Sequence, residues 1–85
     1  MKVIKDYRLK KDDITPQPLY ITKGAEIVNI LELDSLELAL FVLCDKSESN
    51  TELRTFQVYD TWSTIYEDNI VYVGSIGTRH VIEIL

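Results

Sequence analysis

The side chains that most often carry out chemistry are scarce in this sequence. It contains one histidine, His80, and one cysteine, Cys44, among 85 residues. A metal site needs several converging ligands, and a nucleophilic cysteine needs a histidine beside it. There is no phosphate-binding glycine loop, because Gly24, Gly74 and Gly77 are isolated, and no serine lies in a nucleophile elbow. We therefore expect a protein that is not an enzyme and that has no catalytic residues, metal site or cofactor.

A group of aromatic and acidic residues is a better candidate for a functional surface. In the segment RTFQVYDTWSTIY, residues 54–66, an alternating strand pattern ends and the only tryptophan follows among turn-forming residues. Tryptophan and tyrosine provide large contact areas with few rotatable bonds, so they are frequent in binding hot spots. The predicted protein-binding residues are Tyr59, Asp60, Trp62, Tyr66, Glu67, Asp68, Glu48 and Glu52. In a domain of this size, however, a single tryptophan more often closes one end of the core, and we favour that interpretation for Trp62.

A second set of residues would suit a nucleotide instead of a protein. A base would stack on Trp62 or Tyr59, and Arg54, Arg79 or His80 would hold phosphate or ribose. These donors are sparse, so a homo-oligomer would have to gather them at one interface. For His80, which lies within the strand pattern TRHVIEIL, structural packing is the simpler interpretation.

Charge is unevenly distributed along the chain. Residues 1–11 carry five Lys or Arg and one Asp, a net charge of +4. Residues 26–68 carry ten Asp or Glu and two Lys or Arg, a net charge of −8, and the whole chain has −5. An acidic body repels phosphate backbones, so we expect no direct binding to nucleic acid. It attracts basic partner proteins, although acids also simply keep small domains in solution.

The length and hydropathy of the chain limit the architectures that it can adopt. The chain is expected to form one domain over residues 1–85, and its hydrophobic content of 46% is sufficient for a packed core. The apolar runs are too short for a membrane helix, and the N-terminus does not resemble a signal peptide. A single cysteine cannot form an internal disulfide, which favours a reducing cytoplasm and a small, buried Cys44.

Alternation of apolar and polar residues dominates the chain and predicts strands. Pro16 and Pro18 make a regular ladder improbable where they lie, a turn is expected at Lys23-Gly24, and a bulge or close approach at Gly74. Residues 34–44 are ambiguous, because Asp34 and Glu37 resemble a helix capping pair while Leu36, Leu38, Leu40 and Val42 alternate. We favour a hairpin joined at Asp34-Ser35, with residues 38–43 in a central strand covered on both sides. The predicted fold class is all-β: a small single-domain sandwich or partly open barrel of about seven short, mostly antiparallel strands.

Short motifs in a fixed order link the chain to a known group of proteins. They are KVIKDY near the N-terminus, KGAEIV at 23–28, ALFVLCD at 39–45, RTFQVY at 54–59, YVGSI at 72–76 and HVIEI at 80–84. In this order they resemble a family of small, uncharacterised phage and prophage proteins. The chain departs from the family pattern at Asp60, where a glycine is expected, and at Arg79, where an aromatic residue is expected. The resemblance implies an all-β fold, a virus-linked cytoplasmic setting and no known enzymatic activity.

Three functions are compatible with these observations. The first is a phage-type accessory protein that inhibits a bacterial defence system by binding a basic surface of a host protein through its acidic surface. The second is a homo-oligomeric sponge that sequesters a nucleotide immune signal. The third is a virion-associated structural protein. None of them requires a membrane.

Overall fold

The alternating pattern is realised as seven strands in a computed structural model that describes all 85 residues. The strands are β1 (Lys2–Lys10), β2 (Gln17–Thr22), β3 (Glu26–Glu32), β4 (Glu37–Asp45), β5 (Thr51–Asp60), β6 (Ile70–Ile76) and β7 (Arg79–Ile84). The predicted all-β class and the number of strands are confirmed. The chain contains no helix of the length and hydropathy that a membrane crossing requires.

The strands form two antiparallel sheets that pack into a sandwich. Sheet A has the order β1-β4-β3, and sheet B has the order β2-β5-β7-β6. Strand β1 lies beside β2, and β3 lies beside β6, but neither neighbouring pair forms a backbone ladder. The sheets therefore do not close into a barrel. At the β1–β2 edge, the side-chain amide of Gln17 accepts from Lys10 N at 2.8 Å and donates to Lys10 O at 2.9 Å.

The core is built from the facing sides of the two sheets. Sheet A contributes Leu9 from β1 and Leu38, Leu40, Val42 and Cys44 from β4, while sheet B contributes Ile21, Phe56, Val58 and Val81. Strand β4 is central in sheet A, as predicted, and its inward side chains are fully buried. On its outward side Ala39 is buried, but Phe41 and Leu43 are only half-buried. The expectation that both sides of β4 are covered is therefore wrong for the outer one.

The ambiguous segment forms the hairpin and not the helix. Strands β3 and β4 pair antiparallel, and Leu33 N donates to Glu37 O at 3.0 Å across the turn. The Asp34 carboxylate accepts from Leu36 N at 2.7 Å and from Glu37 N at 2.9 Å, and these bonds lower its pKa. The Asp34–Glu37 spacing resembled a helix cap because a carboxylate satisfies free backbone amides in both structures.

Glycine and proline residues lie at a turn, at a bulge and in an edge strand. Gly24 has φ 76°, as expected for the turn after β2. The bulge near Gly74 is confirmed by a register shift between Tyr72 and Gly74. A Cβ at Gly74 would lie 3.3 Å from Ile30 Cδ1, so the absence of a side chain lets β6 approach β3. Pro18, in contrast, does lie in a ladder, which is possible because β2 is an edge strand.

Candidate functional site

The tryptophan segment is a turn fixed to its neighbours by backbone hydrogen bonds. Strand β5 ends at Asp60, and Ser63 N donates to Asp60 O at 3.1 Å to close the turn. Thr61 N donates to Thr78 O at 2.9 Å, which ties this turn to the one between β6 and β7. The turn is therefore held by one hydrogen bond to the end of β5 and by a second to the turn between β6 and β7.

Trp62 stands at the tip of this turn and is 97% exposed. The prediction that it closes the core is wrong, because the turn directs the indole away from both sheets. Its φ of 75° makes it the only residue other than glycine with a positive φ. A bulky residue in this backbone region is strained, and such strain is concentrated at functional sites. Tyr66, four residues further along, is 85% exposed.

Two acids of the predicted site have different environments. Asp60 pairs with Arg79, whose Nε lies 3.2 Å from Asp60 Oδ1 and whose Nη2 lies 2.8 Å from Asp12 Oδ1. Glu67 instead accepts a hydrogen bond from the neutral Tyr59 hydroxyl at 2.8 Å, so its charge has no cationic partner. Partial burial, together with Glu67, raises the pKa of Tyr59 to about 12. At neutral pH the negative charge of this region is thus carried mainly by Glu67 and the exposed Asp68.

His80 is a structural residue in this arrangement. It is half-buried, its Nε2 lies 2.8 Å from Thr61 Oγ1, and its Nδ1 lies 2.8 Å from the Tyr72 hydroxyl. A neutral imidazole satisfies both contacts, since one nitrogen donates and the other accepts. His80 therefore helps to hold the turn that carries Trp62, through Thr61.

Arg54 lies on the opposite side of β5 from Tyr59 and faces sheet A. Its guanidinium forms two hydrogen bonds with Glu83, both 2.7 Å long, and a third with Ala25 O at 2.8 Å. The structure therefore does not bring Arg54 together with Trp62 or Tyr59 within one chain. Arg79 is also occupied, by Asp12 and Asp60, so both arginines of the predicted nucleotide site are engaged in ion pairs.

Glu48 and Glu52 do not belong to the same surface as Trp62. Glu52 lies at the start of β5, where its Oε1 accepts from Gly24 N, whereas Asp60 is the last residue of that strand. Eight steps along a strand at about 3.3 Å each separate the two positions by about 26 Å. Glu48 follows β4 in the adjoining loop, where its backbone N donates to Asp45 O at 3.2 Å. The strand therefore places these two acids and the tryptophan segment at opposite ends of the sandwich, and a role of Glu48 and Glu52 in binding stays a prediction.

Gln57 is a potential site residue that the sequence analysis missed. It points away from the core cluster, because it lies between Phe56 and Val58, whose side chains face that cluster, yet it is only 8% exposed. It lines a cavity together with Ile14, Tyr59, Asp60, Ser63, Thr64, Tyr66 and Glu67. The available signal was weak: a glutamine between Phe56 and Val58 simply fits the polar side of an alternating strand.

No group of three or more His, Cys, Asp or Glu side chains is arranged to hold a metal ion. No protein-family model, curated protein sequence or solved structure matches this chain. Any functional conclusion therefore depends on the site itself.

Proposed function

We propose that the chain is a non-catalytic protein-binding module whose contact surface is centred on the tryptophan turn. This Trp62 surface comprises Asp60, Trp62, Tyr66, Glu67 and Asp68. The observation that carries the proposal is the 97% exposure of Trp62 combined with its φ of 75°. A glycine at this position would relieve the backbone strain and remove an exposed apolar side chain. A tryptophan at this position is explained if the indole contacts a partner.

The turn also meets a general requirement of a binding hot spot, which is preorganisation. Its hydrogen bonds to Asp60 O and Thr78 O hold the backbone in place before a partner arrives. Less conformational entropy is therefore lost when the indole and the Tyr66 ring become buried. Tryptophan and tyrosine at the centre of an interface commonly contribute the largest share of its affinity.

The charge around the indole favours a basic partner. Glu67 and Asp68 carry negative charge beside the aromatic pair, and no cation pairs with them. Opposite charge at the rim of an interface accelerates encounter and selects between partners. We infer a partner protein whose docking surface is positively charged.

The partner class follows from the resemblance to phage proteins. We propose that the partner is a bacterial host protein of a defence system, and that the bound chain sterically blocks a basic site on it, such as one that binds nucleic acid. The setting of this interaction would be the host cytoplasm, where the single cysteine stays reduced.

Capture from a bacterial lysate with three immobilised variants tests this function. Wild type and the control Tyr20→Ala should retain the same basic protein, and Trp62→Gly should lose it. Tyr20 is a suitable control because it is 69% exposed, aromatic, and located on edge strand β2. Equal retention by all three variants would remove the Trp62 surface from consideration.

The nucleotide hypothesis requires a free cation near the stacking residues. Arg54 and Arg79 are both engaged in ion pairs. Phosphate would therefore have to displace Glu83 from Arg54, or both Asp12 and Asp60 from Arg79. A thermal-shift screen with cyclic and linear nucleotides distinguishes the two functions. Stabilisation by a nucleotide that is lost in Trp62→Gly would favour the sponge over the protein-binding module.

A further inference from the structure

A row of three side chains joins strand β6 to the turn that carries Trp62. The Tyr72 hydroxyl lies 2.8 Å from His80 Nδ1, and His80 Nε2 lies 2.8 Å from Thr61 Oγ1. Thr61 Oγ1 in turn lies 3.3 Å from the backbone oxygen of Thr78. The row therefore runs without a gap from Tyr72, which is 58% exposed on β6, to the residue immediately before Trp62.

The far end of this row determines where each hydrogen lies. Thr78 O is a carbonyl oxygen and can only accept, so the Thr61 hydroxyl donates its single hydrogen to it. The Thr61 oxygen is then left to accept, and its donor is the Nε2–H group of His80. In the neutral imidazole His80 Nδ1 consequently carries no hydrogen, and it accepts from the Tyr72 hydroxyl.

The opposite tautomer of His80 satisfies fewer contacts. With the hydrogen on Nδ1, the imidazole would donate to the Tyr72 oxygen and the Thr61 hydroxyl would donate to Nε2. Thr61 Oγ1 and Thr78 O would then face each other at 3.3 Å without a hydrogen between them. One of the three side-chain hydrogen bonds is lost in this arrangement, so the tautomer with Nε2–H is favoured.

We propose that Tyr72, His80 and Thr61 form a one-directional hydrogen-bond relay that positions the Trp62 surface, an inference that rests on the proposed function. Hydrogen bonds that point the same way along a chain polarise and strengthen one another. The relay adds to the backbone bond from Thr61 N to Thr78 O, 2.9 Å long, and together they hold Trp62 at its φ of 75°. Tyr72 is thus a positioning residue, because it acts on the turn through His80 and Thr61.

Imidazole NMR of the free protein tests the direction of the relay without a partner. Proton–nitrogen correlation spectra at about pH 8, where an imidazole is ordinarily neutral, distinguish its two tautomers. We expect His80 of the wild type to be protonated at Nε2 only. Tyr72→Phe keeps the ring that lies beside His80 but removes the hydroxyl, so Nδ1 loses its donor and the two tautomers should mix.

Relaxation of the Trp62 backbone amide tests whether the relay holds the turn. The order parameter should be about 0.85 in the wild type and in Thr61→Ser, which keeps the hydroxyl, and below about 0.6 in Thr61→Val, which lacks it. Tyr72→Phe should lie between these values. Affinity for the captured basic protein should weaken about fivefold in Thr61→Val and about threefold in Tyr72→Phe, and stay within about twofold in Thr61→Ser. Amide spectra of the strands verify that each variant folds.

The outcomes separate the relay from the proposed function. A wild-type His80 protonated at Nδ1 would overturn the direction of the relay. A Trp62 amide that stays equally rigid in Thr61→Val would overturn its positioning role, whether or not a partner binds. If both spectra are as expected but the wild type captures no basic protein, the relay stands and the proposed function fails. If Trp62→Gly loses the partner while Thr61→Val and Tyr72→Phe bind as the wild type does, the Trp62 surface stands and positioning through Tyr72 is contradicted.

Discussion

Arg54 of β5 and Glu83 of β7 form a two-point ion pair within sheet B, with Nε 2.7 Å from Oε2 and Nη2 2.7 Å from Oε1. The remaining arm of Arg54 donates to Ala25 O, immediately before β3. This arginine therefore joins β5 and β7 of sheet B to the entry of sheet A. Its hydrogen bonds to Glu83 raise its pKa.

Removing one member of this pair should destabilise the fold strongly. We expect Arg54→Met to lower the free energy of unfolding by about 3 kcal/mol, because Glu83 is left buried and unpaired. The double variant Arg54→Met/Glu83→Leu should lose less than Arg54→Met alone. Urea denaturation of the wild type, both single variants and the double variant measures the coupling. Additive losses would mean that the two side chains do not act as a pair.

Trp62→Gly should stabilise the protein. Glycine adopts φ of 75° without the steric penalty of a tryptophan, and the exposed indole makes little contact with the core. We expect the free energy of unfolding to rise by about 1 kcal/mol, as seen for relief of left-handed strain. Trp62→Ala is the matched control, since it removes the indole and keeps the strain. A large destabilisation in both variants would show that the indole packs against the domain.

The Tyr59–Glu67 contact should be visible in an alkaline titration. The Tyr59 pKa of about 12 lies above its ordinary value of 10.0, through partial burial and then Glu67. Because the folded pKa is raised, this contribution to stability is complete below pH 10 and is lost as pH rises from about 10 to about 12.

Ultraviolet absorbance of tyrosinate, taken as the difference between wild type and Tyr59→Phe, isolates this one hydroxyl. Glu67→Gln should lower the Tyr59 pKa part of the way towards 10.0, because the negative neighbour is lost while burial remains. An identical Tyr59 titration in Glu67→Gln would contradict the hydrogen bond.

Gly74→Ala should weaken the approach of β6 to β3. The new Cβ would lie 3.3 Å from Ile30 Cδ1, which is a tight contact against the end of a side chain. We expect a loss of about 1 kcal/mol in thermal unfolding, and partial recovery in Gly74→Ala/Ile30→Val, where Cδ1 is absent. Equal losses in the single and double variants would place the strain elsewhere.

Salt should slow the association with a basic partner. Raising ionic strength from 0.1 M to 1 M shortens the Debye length from about 10 Å to about 3 Å, which screens the attraction to Glu67 and Asp68. The association rate constant from surface plasmon resonance should fall steeply, and the dissociation rate should change little. An association rate that does not depend on salt would exclude electrostatic steering.

Local features of the fold were predictable from the sequence because they depend on neighbouring residues. The strand periods, the Asp34-Ser35 hairpin and the Gly74 bulge are all set within a few positions of the chain. The Arg54–Glu83 pair was not predictable, since these residues are 29 positions apart and meet only through the pairing of β5 with β7.

The candidate site was predicted only in part for the same reason. The aromatic and acidic residues around Trp62 are contiguous in sequence, so their grouping was accessible. The direction in which the turn projects the indole depends on the hydrogen bond from Thr61 to Thr78, on another hairpin. The buried Gln57 donates to the Ile14 carbonyl, 43 positions away in the chain, a contact that no alternation pattern reveals.

The affinity of the purified partner for Trp62→Gly, compared with wild type and Tyr20→Ala, tests the central claim most directly. If the exposed indole is the hot spot, binding to Trp62→Gly should be about thirtyfold weaker, while Tyr20→Ala matches wild type. An affinity for Trp62→Gly within about twofold of wild type would contradict a contact surface centred on Trp62.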